Sequence, residues 1–177
     1  NWQEFMSVVR SRRSVRVFET SQKISDQDMQ DVFEAALLAP NSSNLQPWEF
    51  YRVRSPEKKQ KLIEACFSQP AASTAAELIV CVARTDTWKR NSDLMMQEFE
   101  KLGSVPKSVR NYYTKLIPML YPQGFLNSLG FIKRITFFVT GFFRPVPRGP
   151  FSKKDLASMA MKTSALACEN LMLALRA

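Results

Sequence analysis

The sequence predicts an α+β or α/β domain, and three observations carry that reading. Apolar residues recur at helical spacing in several segments, two short strand-like runs interrupt those segments, and the composition is that of a folded globular protein. With 45% apolar and 23% charged residues, neither a disordered chain nor a collagen-like or disulfide scaffold fits. A chain of 177 residues suits a single domain with a sizeable core.

Trp2, Phe5, Met6, Val8 and Val9 define a short first helix that runs into the basic cluster Arg10 to Arg16. Ser25 with Asp28 three residues on resembles a capping box, the acid being shorter than usual. Met29, Val32, Phe33, Ala36 and Leu37 form one face of the second helix, which Pro40 stops. After an irregular polar segment, 41–47, the residues Trp48, Phe50 and Arg52 alternate with Glu49 and Tyr51 as a strand would.

Ser55-Pro56-Glu57 supplies a capping hydroxyl, a proline at the first helical position and an acid near the positive end of the dipole. Leu62, Ile63, Cys66 and Phe67 are expected to bury that third helix. The continuous apolar run 78–83 reads as an interior strand. A second box-like start, Ser152 with Asp155, opens a long helix whose alanines would let another helix approach closely.

The segment 91–151 stands apart as an insertion or lid within the single domain 1–177. Within it, 107–120 resembles a basic amphipathic helix. The run 125–143 is aromatic and aliphatic but is interrupted by Lys133 and Arg134. A membrane span needs about 20 mostly apolar residues, so this run is not a transmembrane helix. One reading buries its apolar face against the domain or a second subunit; another lays it in the plane of a membrane.

The composition excludes some chemistries. There is no histidine, which removes Ser-His-Asp and Cys-His catalysis and histidine-bearing metal sites. Cys66, Cys81 and Cys168 lack CxxC spacing and are odd in number, so neither a disulfide framework nor a zinc site is expected. Buried free thiols in a reducing, cytoplasmic compartment are the expectation, with no metal. A net charge of +9 fits nucleic acid or an anionic membrane, and equally a phosphorylated cofactor with an anionic nicotinamide donor. The chain opens at Asn1 with no signal-peptide pattern and closes at Ala177 inside a helical pattern. It therefore reads as cut at both ends, with further residues expected beyond Ala177.

Three groups of residues have the chemistry for a ligand. Arg12, Arg13, Ser14 and Arg16 follow the first helix; guanidinium groups grip a phosphate dianion through paired charged hydrogen bonds, and a hydroxyl adds a compact donor. The alternative is a solvated basic stretch. In Pro40-Asn41-Ser42-Ser43-Asn44-Leu45-Gln46-Pro47-Trp48 two prolines bracket side chains that offer both donors and acceptors. That mixture suits the polar edge of a flavin ring, and equally an ordinary capping loop. Gln69, in Phe67-Ser68-Gln69-Pro70, places one amide before the second strand.

Together these residues resemble the nitroreductase family. Its basic R-x-S-x-R-x-F-like stretch corresponds to Arg12, Ser14, Arg16 and Phe18. Its P-S-S-x-N-x-Q-P-W loop corresponds to Pro40, Asn41, Ser42, Asn44, Gln46, Pro47 and Trp48, with Asn41 in place of the usual first serine. The helix around 162–175 is similar to the family's dimer-core helix. The resemblance covers 1–90 and 152–177 well and the insertion poorly. The family's later flavin contacts and its extended tail would lie beyond Ala177.

The resemblance implies an α+β fold, three-layered α/β/α, with a central mixed sheet flanked by helices, in a homodimer. It implies FMN (flavin mononucleotide) as cofactor, NAD(P)H as donor and a nitroaromatic, quinone or related acceptor, with no side chain serving as catalyst. Arg12, Arg13, Ser14 and Arg16 would hold the flavin phosphate and ribityl chain. Pro40, Asn41, Ser42 and Asn44 would close over the flavin from the partner subunit, and Gln69 would meet the polar edge of the ring. A reductive dehalogenase-type flavoenzyme stays open, as does a non-catalytic basic domain on a membrane or nucleic acid; nucleic acid itself is not the expected partner.

Overall fold

A computed structural model describes residues 1–147 and 149–177. Nine α-helices and two strands are found among them. In order these are α1 (Trp2–Ser11), α2 (Asp26–Leu37), β1 (Trp48–Arg52), α3 (Pro56–Ala65), α4 (Pro70–Ser73) and β2 (Ile79–Ala83). There follow α5 (Trp88–Lys101), α6 (Lys107–Asn111), α7 (Ile117–Leu120), α8 (Ser128–Gly141) and α9 (Lys153–Ala174). The chain divides into two units: residues 1–40, 49–82 and 164–177 form unit 1, and residues 41–48 and 83–163 form unit 2. Of the expected 91–151 insertion, Arg148 lies outside the described residues.

Unit 1 is built on α2. Ser25 caps it, its hydroxyl accepting from the Asp28 N–H at 3.0 Å, which is half of the capping box the sequence suggests. Met29, Val32 and Ala36 are buried together with Leu171 of α9, and Ile24, Phe33, Phe50 and Ile79 pack around them. Ala36 and Ala167 are fully buried, and Asn170 Nδ2 donates to the Ala35 carbonyl at 3.0 Å. Small side chains at these positions let α9 come close enough for the Asn170 amide to reach the backbone of α2. Bulkier residues would hold them apart.

The α+β class holds, but the sheet is a two-stranded one, β1 beside β2. Val53 N–H donates to Leu78 O, and Arg84 N–H to Pro47 O, so the pairing is antiparallel. The apolar run at β2 is accordingly half-buried, with Cys81 turned to the exposed side. The three cysteines are free thiols; Cys66 and Cys168 are half-buried, so only partly as expected. Desolvation and the neighbouring Cys168 push the Cys81 thiol up to about 12, away from the thiolate form at neutral pH.

The expected burial of α3 is also corrected. Leu62, Ile63 and Cys66 are half-buried, but Phe67 is 89% exposed. The helix stops at Ala65, and Phe67 and Ser68 take left-handed φ values of 57° and 51°, which turn the phenyl ring outward. Arg52 ties unit 1 together. Its guanidinium forks onto Glu77 (Nε to Oε2, 2.9 Å; Nη2 to Oε1, 2.5 Å) and reaches Asp26 with Nη1 at 2.6 Å.

Unit 2 packs Leu45, Met96, Tyr113 and Ile117 into a second core, with Trp88, Phe99, Val109 and Tyr121 around it. The amphipathic stretch 107–120 is not one regular helix. It runs as α6, a π-helical turn over Tyr112–Leu116, and α7. Pro118 explains the break: it has no N–H to return to the preceding turn, and the widened turn absorbs the mismatch. Ser152 caps α9, accepting from the Asp155 N–H at 3.1 Å, while Asp155 Oδ2 accepts from the Phe151 N–H at 2.9 Å. The first part of α9, to Thr163, belongs to unit 2 and the remainder to unit 1. Among the described residues no helix is long and apolar enough to cross a membrane.

Candidate functional site

The basic stretch leaves α1 at Arg12, which has extended backbone (φ −60°, ψ 134°) and whose N–H closes the helix onto Val8 O at 3.0 Å. Three side-chain contacts fix this corner. Arg13 Nη1 folds back to the carbonyls of Arg10 and Arg12 at 2.5 and 2.8 Å, satisfying helix-end acceptors that would otherwise face only water. Arg12 Nε lies 3.9 Å from Glu169, a loose pair between part-exposed groups. Arg176 Nε donates to Ser11 Oγ at 2.8 Å. Ser14 and Arg16 are exposed and make no hydrogen bond or ion pair among the described residues. Further on, Phe18 N–H donates to Thr74 Oγ1 at 2.9 Å, which fastens the stretch to the end of α4.

Gln69 is the N-cap of α4. Its carbonyl accepts from the N–H groups of Ala72 and Ser73, and its exposed side chain makes no cap bond. The two left-handed residues before it aim that segment. A phenylalanine held at positive φ is costly and marks a conformation imposed by its surroundings. The basic stretch and Gln69 therefore both fall in unit 1, and the Phe18–Thr74 bond joins their segments.

The polar loop belongs to unit 2 and is held from within. Asn41 Oδ1 accepts from the Gln46 N–H at 2.8 Å, and its Nδ2 donates to Asn44 Oδ1 at 3.2 Å. Ser43, Asn44 and Gln46 carry positive φ values of 59°, 47° and 42°. Asparagine tolerates that region far better than most residues, because its short amide bonds locally. Pro40, Ser42 and Asn44 are exposed, whereas Leu45 and Trp48 are buried and anchor the loop.

Residues the sequence reading did not single out support this loop from outside. Tyr112 OH lies 2.6 Å from Ser43 Oγ, and Tyr113 OH donates to Ser43 O at 2.8 Å. Asn91 Nδ2 donates to Leu45 O at 2.7 Å. Their only sequence signal is the adjacent pair Tyr112-Tyr113, too weak to act on alone. Burial pushes the Tyr113 and Tyr121 phenols up, so both remain protonated donors at neutral pH.

Chemically, this is a binding arrangement. Unit 1 offers cationic and hydroxyl donors free for an anion; unit 2 offers a rigid loop of amides and hydroxyls. Neither the basic stretch 12–16 nor the polar loop 40–48 contains a histidine, a cysteine or a carboxylate. Among the described residues no cluster of three or more His, Cys, Asp or Glu could hold a metal ion.

Comparison with known proteins follows the same lines. The model of the Nitroreductase family matches residues 9–177. Over 112 residues the chain is 35% identical to the "Putative NAD(P)H nitroreductase YdgI" of Bacillus subtilis, covering 61% of this chain and 52% of the relative. It is 29% identical over 106 residues to the CLA biosynthesis enone reductase of Lactiplantibacillus plantarum, covering 59% of this chain and 48% of that one. The chain thus spans about half the length of the curated relatives it matches. A protein from Exiguobacterium sibiricum, crystallised in complex with FMN, superposes with a TM-score of 0.66 at 28% identity, covering 97% of this chain and 69% of the other.

Proposed function

This chain belongs to the nitroreductase family, and we propose that it forms part of an FMN-dependent oxidoreductase that passes electrons from NAD(P)H to a nitroaromatic, quinone or related acceptor. The observation that carries the proposal is the donor set after α1, where Ser14 and Arg16 are exposed and unengaged among the described residues and Arg12 is only loosely paired. Three such donors suit a phosphate dianion, and the related protein crystallised with FMN supports the flavin nucleotide as its bearer.

In this reading Arg12, Ser14 and Arg16 hold the flavin phosphate and ribityl chain. Arg13 is held off the phosphate, since its guanidinium is folded onto the end of α1. Gln69 meets the polar edge of the ring. Pro40, Asn41, Ser42 and Asn44 close over it from the partner subunit of a homodimer, Asn41 by holding the loop's shape and Ser42 and Asn44 by their exposed groups. When bound, the flavin supplies the electron-transfer chemistry. The chain binds, orients and, through its cationic and amide donors, favours negative charge on the cofactor.

The test is the purified protein itself. Noncovalent FMN, released by heat or acid and absorbing near about 450 nm, is the expected result. A colourless protein that takes up no added flavin, or one loaded with flavin adenine dinucleotide, contradicts the reading. Sedimentation showing a flavin-loaded monomer would contradict the homodimer.

A further inference from the structure

Helix α8 is oriented against the usual rule for a surface helix. Of its two charged residues, Arg134 is exposed but Lys133 points inward and is buried, with Nζ donating to Leu120 O at 2.5 Å and to Pro122 O at 2.8 Å. Gly130 also faces inward, where an added Cβ would collide with Phe151 O, Asn127 Nδ2 and Gln123 Oε1. Outward point Phe131, Ile132, Ile135, Phe138, Val139 and Phe142, each between 49% and 71% exposed. Their spacing makes one continuous stripe along the helix. Phe125 and Leu126, just before the helix, and Phe143, just after it, are at least 84% exposed. An apolar surface this extended signals a partner, not chance exposure.

Charge identifies the partner. Residues 101–154 contain ten Lys or Arg and no Asp or Glu, whereas the rest of the chain has fifteen basic and sixteen acidic residues. The whole net charge of the protein therefore resides in the segment that carries α8. A second copy docking face to face would bring two net-positive segments together, which like-charge repulsion opposes. An aromatic and aliphatic stripe within a cationic, acid-free segment matches a helix lying in the interface of an anionic bilayer, its apolar face buried about 5–10 Å deep. The length agrees: α8 has 14 residues, too few to span a bilayer and enough to lie in one leaflet.

We propose that the outward face of α8, flanked by the acid-free basic segment, docks the protein in the plane of an anionic lipid surface. The proposal stands independently of the flavin reading.

Flotation of the full chain with vesicles tests it. Binding is expected to vesicles containing about one-third phosphatidylglycerol in phosphatidylcholine, weakening as salt is raised, with far less to pure phosphatidylcholine. The double substitution Ile135→Ser and Phe138→Ser, at solvent-facing positions, should leave circular dichroism and flavin content unchanged. It should lower vesicle partition by about tenfold or more. In a single Phe138→Trp protein, indole emission should shift to the blue on vesicle addition and be quenched by brominated lipid. Three results would overturn the proposal: no vesicle binding, equal binding to neutral and anionic vesicles, or a double substitution whose only effect is to dissociate an oligomer. Binding to nucleic acid without binding to vesicles would do the same.

Discussion

Two inward-turned cations show how differently the two units are held. In unit 1, Arg52 lies between Glu77 and Asp26, and hydrogen bonds to Arg52 hold both carboxyls below their usual range. In unit 2, Lys133 has backbone carbonyls of Leu120 and Pro122 as its partners, and burial lowers its pKa. No acid occurs in residues 101–154, and the inward lysine meets backbone dipoles instead of a carboxylate. Unit 1 joins α2, β1 and the approach to β2 with ion pairs, and among the described residues it leaves Ser14 and Arg16 unengaged. Unit 2 turns Lys133 inward and keeps an apolar stripe outside.

The largest expected effect breaks the unit 1 side of that contrast. Arg52→Ala leaves Glu77, only 16% exposed, without its forked partner, and should cost about 3 kcal/mol in urea unfolding. A loss below about 1 kcal/mol would show the pair to be incidental. The pH dependence sharpens the point. Because the Glu77 pKa is depressed in the fold, its contribution is complete above the ordinary value of 4.5 and is lost as pH falls through the lower folded value. The parent protein should lose stability on acidification below pH 4.5, and Arg52→Ala should flatten that part of the profile.

The unit 2 counterpart is smaller. Lys133→Met removes the donor to two carbonyls and should destabilise by about 2 kcal/mol. Its pH signature lies at the other end of the scale. The folded pKa of Lys133 falls below its ordinary 10.5, so the unfolded chain binds the proton more tightly and stability should rise with pH through the window below 10.5. The methionine variant should lose that rise. Unchanged stability would mean that the inward lysine does not hold α8 in place.

Much of this was legible in the sequence. Ser25, Ser55 and Ser152 each cap the helix predicted to follow, because a cap depends on neighbours only three residues away. The alternation at 48–52 gave a strand for a similarly local reason. The exposure of Phe67 was not legible, since two left-handed residues without glycine are imposed by tertiary context. Nor was the break at 112–116, where Pro118 lies inside an otherwise helical pattern. At the site, the residue types of both motifs were readable, but the inward fold of Arg13 and the internal bonding of Asn41 depend on geometry that no spacing encodes. Arg134 and Lys133 look alike in sequence. Only packing distinguishes the exposed one from the buried one.

The flavin assignment rests on phosphate recognition by Arg12 and its neighbours, and one paired titration tests it most directly. FMN and riboflavin, which lacks the phosphate, are titrated into the parent protein, Arg12→Ala and Arg13→Ala. Loss of a hydrogen bond to a charged group, worth about 1.5–3 kcal/mol, should weaken FMN binding to Arg12→Ala roughly ten- to a hundred-fold. Riboflavin affinity should hardly change, and Arg13→Ala, whose guanidinium is folded onto its own backbone, should retain FMN affinity within about threefold. If Arg12→Ala lowers FMN and riboflavin affinity by the same factor, Arg12 is not a phosphate ligand and the basic stretch is solvated surface.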